Sequence, residues 1–489
     1  MTDVQSSAQS KDILSQQAEP LAQAGLRSRL LLPSDANYTS RIDSYWCNNA
    51  KLRPACIIQP QSAAEVSKAV TALAQSGQQF AVRAGGHGNW VGANNINDGV
   101  TIDLGLLNST QYDTVTKTAQ IEPGAKWKDV YAELEKHGVV VAGAREGEVG
   151  VGGFLLGGGN TFHTPRYGLG CDNVLSFEVV LADGRIITAE AGGQHADLFR
   201  VLKGGGNNFG IVTRFTMRTF PSGPIWGGLA LRPLETVQAG AEALVEFTAN
   251  SANDPDTTVQ FIVGHMPRFG GTVAGNSCSN VANIENPPSL QKTIALPEIM
   301  NNFKSTTMQE LLTYSALPPN YYNIWFTMTF KNDVSIVVKT AELHNQMVKE
   351  LQELVPDQDF TSHVAFQPIP RLFAQLGANS GGNVLGLEQS AHDAILLQIS
   401  ASVRTPELEE LARPKVRAVL EGVRAFASTI EGGFVPWVYL NYAHATQEVL
   451  QSYGPDNVRK IREAAVKYDP EGVFQRLCPG GFKISAIKD

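Results

Sequence analysis

Three glycine-rich segments, each next to a predicted strand, constrain this 489-residue chain more than any other feature of its sequence. They span residues 83–88, 147–159 and 204–210, and the middle one reads GEVGVGGFLLGGG. Glycine lets the backbone turn sharply and leaves its N–H groups free to face an anion, because no Cβ holds the ligand away. One such segment alone is best interpreted as a tight turn. Three in one half of the chain favour a large phosphate-bearing cofactor.

Several common signatures are missing. The sequence holds no G-x-x-x-x-G-K-[ST], and no G-x-G-x-x-G opens a helix after the first strand, so neither a P-loop nor a Rossmann fold is supported. Its nine histidines show no H-E-x-x-H or other ligand spacing, which disfavours a metal enzyme. The net charge of −8 argues against nucleic acid or an acidic membrane as a partner.

The localisation and the thiols are predicted from equally simple features. No apolar run reaches membrane-spanning length, and the start of the sequence lacks an apolar stretch of signal-peptide type, so we expect a cytoplasmic protein. The five scattered cysteines match neither a disulfide framework nor a zinc site. Cys47 and Cys56 could pair if their strands lie side by side, but buried free thiols are the favoured interpretation.

The predicted elements indicate an α+β protein of two domains. Short strands and helices alternate up to residue 222, after which longer helices and strands predict an antiparallel sheet backed by helices. We therefore predict a cofactor domain built from residues 1–222 and 431–489, with a substrate-binding domain over 223–430 inserted between them. Within these, the polar stretch 272–300 predicts a loop or lid, and Val435 to Tyr442 predicts a last strand.

Five glycine-containing motifs occur in order along the chain. They are RAGGHG at 83–88, VGVGG at 149–153, GGG at 157–159, YGLGCDNV at 167–174 and GGNNFGIVT at 205–213. Together they resemble the FAD domain of the vanillyl-alcohol-oxidase superfamily, the PCMH-type FAD-binding fold. Two later segments, YLNY at 439–442 and YDP at 468–470, resemble the berberine-bridge-enzyme-like branch and its fungal members. The resemblance covers roughly residues 38–222 and 435–480, and it implies a two-part FAD domain.

The resemblance also implies which residues hold FAD. Segment 83–88 would wrap the diphosphate, and His87 would be bonded to a methyl group of the flavin ring. Many relatives carry a cysteine just before the VGVGG motif as a second attachment, but residues 144–148 contain no thiol, so a single link is expected. The cofactor-binding residues implied in this way are Arg83, Ala84, Gly85, Gly86, His87, Gly88, Val149, Gly150, Gly152, Gly153, Asn173, Val174, Gly210, Ile211, Val212 and Asn441.

The catalytic base is harder to predict. On a strand, Tyr439 and Asn441 would face the same side and Tyr442 the other, which makes Tyr439 the first choice. A phenol ionises near pH ~10 in water, so it would need a neighbouring cation or hydrogen-bond donor. Core packing of Tyr439 is an equally weighted alternative. Tyr167 and His163, which follow the second glycine segment, are lesser candidates for which simple packing is favoured.

These features predict an FAD-dependent oxidase that transfers hydride from a small secondary-metabolite alcohol, polyketide or alkaloid to the flavin. Val149, at the position near which oxygen adds in the resembled family, favours O2 as the electron acceptor. The alternatives are a flavin-dependent cyclase or isomerase without net oxidation, a carbohydrate oxidase, which the missing thiol makes doubtful, and a non-catalytic flavin-binding protein. Neither the substrate nor the oligomeric state follows from the sequence.

Overall fold

The computed structural model of the chain describes residues 16–267, 270–314, 316–356 and 359–488. In this part of the chain the helices are Ala36–Asp43 (α1), Ala63–Ser76 (α2), Trp127–Glu135 (α3), Val151–Leu156 (α4), Thr164–Tyr167 (α5), Ala196–Leu202 (α6), Val237–Asn250 (α7), Gln291–Ile294 (α8), Met308–Tyr314 (α9), Val334–Leu354 (α10), Leu372–Asn379 (α11), Pro406–Ala427 (α12), Pro455–Tyr468 (α13) and Val473–Arg476 (α14). The strands are Leu30–Leu31 (β1), Cys56–Ile58 (β2), Phe80–Arg83 (β3), Val100–Asp103 (β4), Thr110–Asp113 (β5), Thr118–Ile121 (β6), Val139–Val140 (β7), Val174–Val180 (β8), Ile186–Glu190 (β9), Ile211–Arg218 (β10), Phe220–Pro221 (β11), Ile225–Arg232 (β12), Thr257–Met266 (β13), Gly271–Asn280 (β14), Met300–Asn301 (β15), Lys304–Thr306 (β16), Tyr322–Lys331 (β17), Thr361–Ile369 (β18), Ala394–Val403 (β19) and Phe434–Val435 (β20).

Two sheets build the half of the molecule that carries the glycine segments. The first has the order β1-β2-β4-β3, with β2, β4 and β3 parallel, and the second is antiparallel with the order β5-β6-β10-β8-β9. Helix α2 connects β2 to β3 and ends as its sequence predicts. Ser62 Oγ accepts the Glu65 N–H at 3.2 Å, and Gly77 closes the helix with a φ of 67°, a conformation that favours glycine.

A large antiparallel sheet forms the other half. Its strands follow the order β15-β12-β14-β13-β18-β19-β17-β20, with β16 beside β12. Helices α7, α10 and α12 pack on one face, where Phe261 and Val263 of β13 join the core. Side chains alternate along a strand, so Gln260 and Ile262 of β13 face the opposite side. The predicted sheet backed by helices is confirmed, whereas the domain limits 1–222, 223–430 and 431–489 stay a prediction.

Two sequence-based expectations about secondary structure are wrong. Residues 272–300 do not form a loop throughout, because β14 pairs along its length with both β12 and β13 inside the large sheet. Its small polar residues serve close packing there: a Cβ on Gly275 would lie 2.9 Å from the carbonyl oxygen of Ala230. The strand expected over 435–442 ends at Val435, and Leu440–Tyr442 form a 3-10 turn instead.

The thiols follow the favoured interpretation of the sequence. Cys47, Cys56, Cys171, Cys278 and Cys478 are all free and buried in the structure. Burial raises the pKa of the Cys56 thiol to about 12, so this sulfur stays protonated near neutral pH. We conclude that these cysteines act as small apolar core residues.

Histidines that are buried in the neutral form lie in the large sheet and in the helices packed on it, and they predict a loss of stability in acid. His344 of α10 is fully buried with its Nε2 2.9 Å from Ser362 Oγ, and burial lowers its pKa to about 3. The unfolded chain binds this proton near pH ~6.5, so below that pH the unfolded state holds more protons than the folded state. The stability is therefore complete above pH ~6.5, and about 1.4 kcal/mol is lost per histidine for each pH unit down to the folded pKa.

The measurement is the free energy of unfolding in urea between about pH 6.5 and 4.5. Because other groups also titrate in this interval, the decisive quantity is the difference in slope between H344Q and the unchanged chain. We expect H344Q to reduce the slope of unfolding free energy against pH by an amount that corresponds to about one bound proton. H137Q, which replaces an exposed histidine, is the matched control. An H344Q slope equal to that of the unchanged chain would contradict the prediction.

Candidate functional site

A cavity of about 1020 Å³ lies between the free face of the large sheet and the glycine segments. The sheet contributes residues of β12, β13, β14, β17, β18 and β19, and the opposite wall comes from the glycine segments and the turn after β20. Its size is at the upper end of small-molecule sites, which span about 300–1,000 Å³. The cavity is therefore large enough for a cofactor with a substrate beside it.

The first two glycine segments touch in the wall of this cavity. A Cβ built on Gly85 would lie 2.3 Å from the Cα of Gly150, and a Cβ on Gly150 would lie 2.3 Å from the Cα of Gly85. A side chain at either position would push the two loops apart. Lys126 joins the same loops, because its Nζ donates to the carbonyl oxygens of Gly85 and Glu148, both at 2.6 Å. Burial lowers the pKa of Lys126 to about 8.

His87 lies at the cavity wall with one ring nitrogen unpaired. Its ring stacks on Trp46, with 4.3 Å between the centroids and 16° between the planes. Its Nδ1 is buried and has no hydrogen-bond partner in the described structure. Burial, together with the charge of Lys126, lowers the pKa of His87 to about 3. The imidazole is therefore neutral at physiological pH, so one of its two ring nitrogens carries a free lone pair.

Most of the residues implied to bind the cofactor meet at this cavity. The lining includes Ala84, Gly85, Gly86, His87, Gly88, Val149, Gly150, Gly152, Gly153, Gly210, Ile211, Val212 and Asn441. Asn207 and Phe482 complete the wall near the third glycine segment. Close-packed glycine loops, a neutral histidine with an unpaired nitrogen and a cavity of this volume fit FAD.

Three residues implied to bind the cofactor lie outside the cavity lining. The Arg83 guanidinium points back toward α1, where it donates to the Arg41 carbonyl oxygen at 2.8 Å and stacks over Tyr45. The Asn173 side chain donates to the carbonyl oxygens of Tyr167 and Leu169 at 3.1 and 2.9 Å, so it holds the turn before β8. Val174 is buried in the core at the start of β8.

The two lesser catalytic candidates also lie outside the lining. The rings of His163 and Tyr167 both stack on Phe220, with centroid distances of 5.9 and 3.8 Å. Burial lowers the pKa of His163 to about 4. The packing interpretation, which the sequence favoured for both residues, agrees with this placement.

Tyr439 borders the cavity, and three hydrogen-bond donors already occupy its hydroxyl oxygen. Its side chain is buried, and its hydroxyl oxygen accepts from the N–H groups of Gly159 and Asn160 at 3.0 and 2.9 Å and from Asn441 Nδ2 at 3.1 Å. Burial and the neighbouring Tyr442 raise its pKa well above the usual value for a phenol. These contacts hold the end of the second glycine segment against the turn after β20, which is a structural role.

Tyr442 presents its hydroxyl to the cavity, although the sequence favoured Tyr439. The 3-10 turn over Leu440–Tyr442 brings Tyr439 and Tyr442, three residues apart, to the same side. The Tyr442 hydroxyl lies 3.2 Å from Arg145 Nη2 and 3.3 Å from Gln367 Nε2, both of which donate to it. The assumption of a strand placed this side chain on the wrong face.

Polar residues from both walls surround this hydroxyl. Gln367 Oε1 accepts from Arg145 Nη2 at 2.5 Å and from Asn160 Nδ2 at 3.2 Å. The Gln260 amide, oriented with its oxygen toward Arg145, accepts from Nη1 and Nη2 at 2.6 and 3.0 Å. Glu146 also lines the cavity, and burial raises its pKa. None of these residues belongs to a recognisable sequence motif, because their contacts join strands and loops that lie far apart in the sequence.

Two absences apply to the described residues. No group of three or more His, Cys, Asp or Glu side chains there is arranged to hold a metal ion. No helix in the same part of the chain combines the length and the apolar character needed to cross a membrane.

The fold and the cavity define a protein that holds a large, phosphate-bearing cofactor beside a substrate site. A family model described as "FAD binding domain" matches residues 54–190. The chain is 36% identical over 472 residues to the FAD-dependent monooxygenase drtC of Aspergillus calidoustus, covering 96% of this chain and 90% of that protein. The chain therefore belongs to this family of FAD-dependent oxidoreductases, and it is an enzyme.

Solved structures share the fold. 6-Hydroxy-D-nicotine oxidase from Arthrobacter nicotinovorans superimposes with a TM-score of 0.74 at 22% identity, over 91% of this chain and 96% of that one. Glucooligosaccharide oxidase from Acremonium strictum, described with a 6-S-cysteinyl, 8α-N1-histidyl FAD, has a TM-score of 0.74 at 19% identity, over 93% and 97%. At these identities the likeness concerns the fold alone.

Proposed function

We propose that this enzyme is an oxidase that removes hydride from a small organic alcohol or enol of secondary metabolism, with O2 as the electron acceptor. The observation that carries the proposal is the position of the Tyr442 hydroxyl, which faces the cavity between the glycine loops and the large sheet. FAD, when bound, supplies the hydride acceptor. The protein then has to bind the substrate, orient its C–H bond and remove the hydroxyl proton.

His87 is proposed as the single covalent attachment of the FAD. Its buried Nδ1 lacks a hydrogen-bond partner, and its low pKa keeps the imidazole neutral near neutral pH. The FAD of the glucooligosaccharide oxidase is described with a histidyl linkage through N1 together with a cysteinyl linkage. In this chain residues 144–148 are Ala-Arg-Glu-Gly-Glu, so no thiol is available there for a second bond.

Tyr442 is proposed as the base that accepts the substrate proton. To accept that proton Tyr442 has to be in its phenolate form, whose negative charge would face two hydrogen-bond donors, Arg145 and Gln367, that are in place before the substrate binds. One of these groups is a cation and the other a neutral donor, and both would stabilise the charge of a phenolate. Trp325 packs edge-on against the Tyr442 ring, with 5.8 Å between the centroids, and restricts its orientation.

The test uses a panel of phenolic, enolic and polyketide alcohols under 18O-labelled oxygen. A substrate should bleach the flavin absorption without oxygen, and air should restore it with about one H2O2 per product. Monooxygenation is the second candidate, favoured by the name of the Aspergillus relative. Labelled oxygen in the product would refute the oxidase proposal and support monooxygenation. Product formation without oxygen uptake would instead indicate a cyclase or isomerase.

A further inference from the structure

We infer that Arg145 binds an anionic oxygen of the substrate, so that the natural substrate is an organic acid. The inference rests on the proposed function, because it assigns the substrate to the same cavity. Arg145 follows Ala144 in the wall formed by the second glycine segment and is half-buried at the cavity. A guanidinium remains charged at every physiological pH.

While the Tyr442 hydroxyl is protonated, the partners of Arg145 are all neutral. They are the amide oxygens of Gln260 and Gln367 and the hydroxyl of Tyr442. Within residues 16–267, 270–314, 316–356 and 359–488, no carboxylate oxygen lies within 4.0 Å of its nitrogens. The adjacent Glu146 turns its Oε1 to the N–H of Glu148 instead, and its Oε2 is buried without a partner.

A cation in a cavity is stabilised far better by an anion than by neutral acceptors. The chain carries 47 acidic and 39 basic residues, so the missing partner does not reflect a shortage of carboxylates. Arg404, near the same cavity, shows the contrast: its Nε donates to Asp359 Oδ2 at 2.7 Å, and its guanidinium stacks over Tyr321. Arg404 is paired with a carboxylate and Arg145 is not.

The two glutamines fix the direction of the Arg145 side chain. Gln260 precedes Phe261 and Gln367 follows Phe366, and these phenylalanines pair across β13 and β18. The glutamines thus continue the register side by side on the cavity face of the sheet and hold Nη1 and Nη2. The Nε–H donates to none of the described residues, so it is available to a ligand.

The position of Arg145 also locates the acidic group on the substrate. The same Nη2 that binds Gln367 lies 3.2 Å from the Tyr442 hydroxyl. An anion bound to this guanidinium is therefore held next to Tyr442. It is then also close to the substrate hydroxyl from which Tyr442 removes the proton. The substrate is an acid whose anionic oxygen lies within a few bonds of the carbon that is oxidised.

The experiment compares two probes that differ only in charge, 2-naphthoate and 2-naphthamide, by titration calorimetry of the flavin-loaded enzyme near neutral pH. We expect naphthoate to bind about tenfold or more tightly, which is the usual worth of one charge-assisted hydrogen bond. R145Q should abolish this preference, and R145K should retain part of it. R404Q, which removes the already paired arginine, should leave the preference unchanged.

Equal binding of the two probes to the unchanged enzyme would overturn the inference, and so would a preference that survives in R145Q or disappears equally in R404Q. If R145Q fails to fold, the probe comparison in the unchanged enzyme and in R145K still decides. The flavin content of the same samples is measured after acid precipitation. An enzyme that holds flavin but ignores the charge of the probe refutes only the acid-binding role, whereas a protein without flavin refutes the proposed function.

Discussion

Replacing Tyr442 by phenylalanine is expected to lower kcat by about 10²–10⁴-fold, the usual contribution of a positioned general base. The phenyl ring keeps the edge-on contact with Trp325, so the fold and the cavity shape should persist. What is lost is the oxygen that faces Arg145 and Gln367. The measurement is the rate of flavin reduction without oxygen, because this step is separate from reoxidation.

Y439F is the matched comparison, since it removes the same atom from a tyrosine three residues away. There the N–H groups of Gly159 and Asn160 lose their acceptor, which should cost about 1–3 kcal/mol of stability. We therefore expect a lower melting temperature for Y439F and an unchanged one for Y442F. A Y442F enzyme that reduces its flavin at the normal rate, next to a Y439F enzyme that is stable but inactive, would return the role of base to Tyr439.

His87→Ala is expected to abolish acid-stable flavin binding completely. After acid precipitation the unchanged protein should give a yellow pellet, and the H87A protein should release any bound colour to the supernatant. The reason is that residues 144–148 offer no thiol for a second bond, so no attachment remains once the imidazole is removed.

H163Q provides the control, because His163 is also a buried neutral histidine but packs on Phe220 outside the cavity. Its pellet should stay yellow. Free FAD added to H87A should still bind, because the glycine loops that face the cavity are unchanged. A colourless pellet from the unchanged protein, or colour retained in the H87A pellet, would refute the assignment of His87.

Local signals in the sequence were sufficient for much of the fold. The Ser62 cap and the Gly77 end of α2 depend on neighbouring residues only, as does the Asp183-Gly184 turn between β8 and β9. The glycine segments were recognisable for the same reason, because positive φ and close approach both require glycine. Gly85 and Gly150 are in contact although 65 positions separate them in the sequence. The order of the motifs indicated that the segments meet, but it did not show which residues touch.

The site was harder to predict from the sequence, because it is assembled from distant segments. Arg83 belongs to a glycine motif, yet its long side chain reaches back to Arg41 and Ser44. The assumed strand through Tyr439 placed Tyr442 on the opposite side of the backbone, since period-2 alternation does not apply to a 3-10 turn. Arg145 donates to Gln367, which lies 222 positions later in the sequence, and no local pattern predicts such a pair. Strand β14 was missed because its small polar residues are typical of a loop. In the structure they pack between two other strands.

The turn after β20 places the proposed proton acceptor, Tyr442, and the loop anchor, Tyr439, on one short piece of backbone, separate from the strands that form the cavity floor. Tyr439 and Asn441 tie this piece to Gly159, Asn160 and Phe154. The floor residues Leu229, Ser277 and Gln398 project from the sheet. Related enzymes can therefore diverge in what they accept by exchanging floor residues while their reaction machinery stays intact. For protein engineering, this makes the strand side chains the first positions to randomise when a new substrate range is sought.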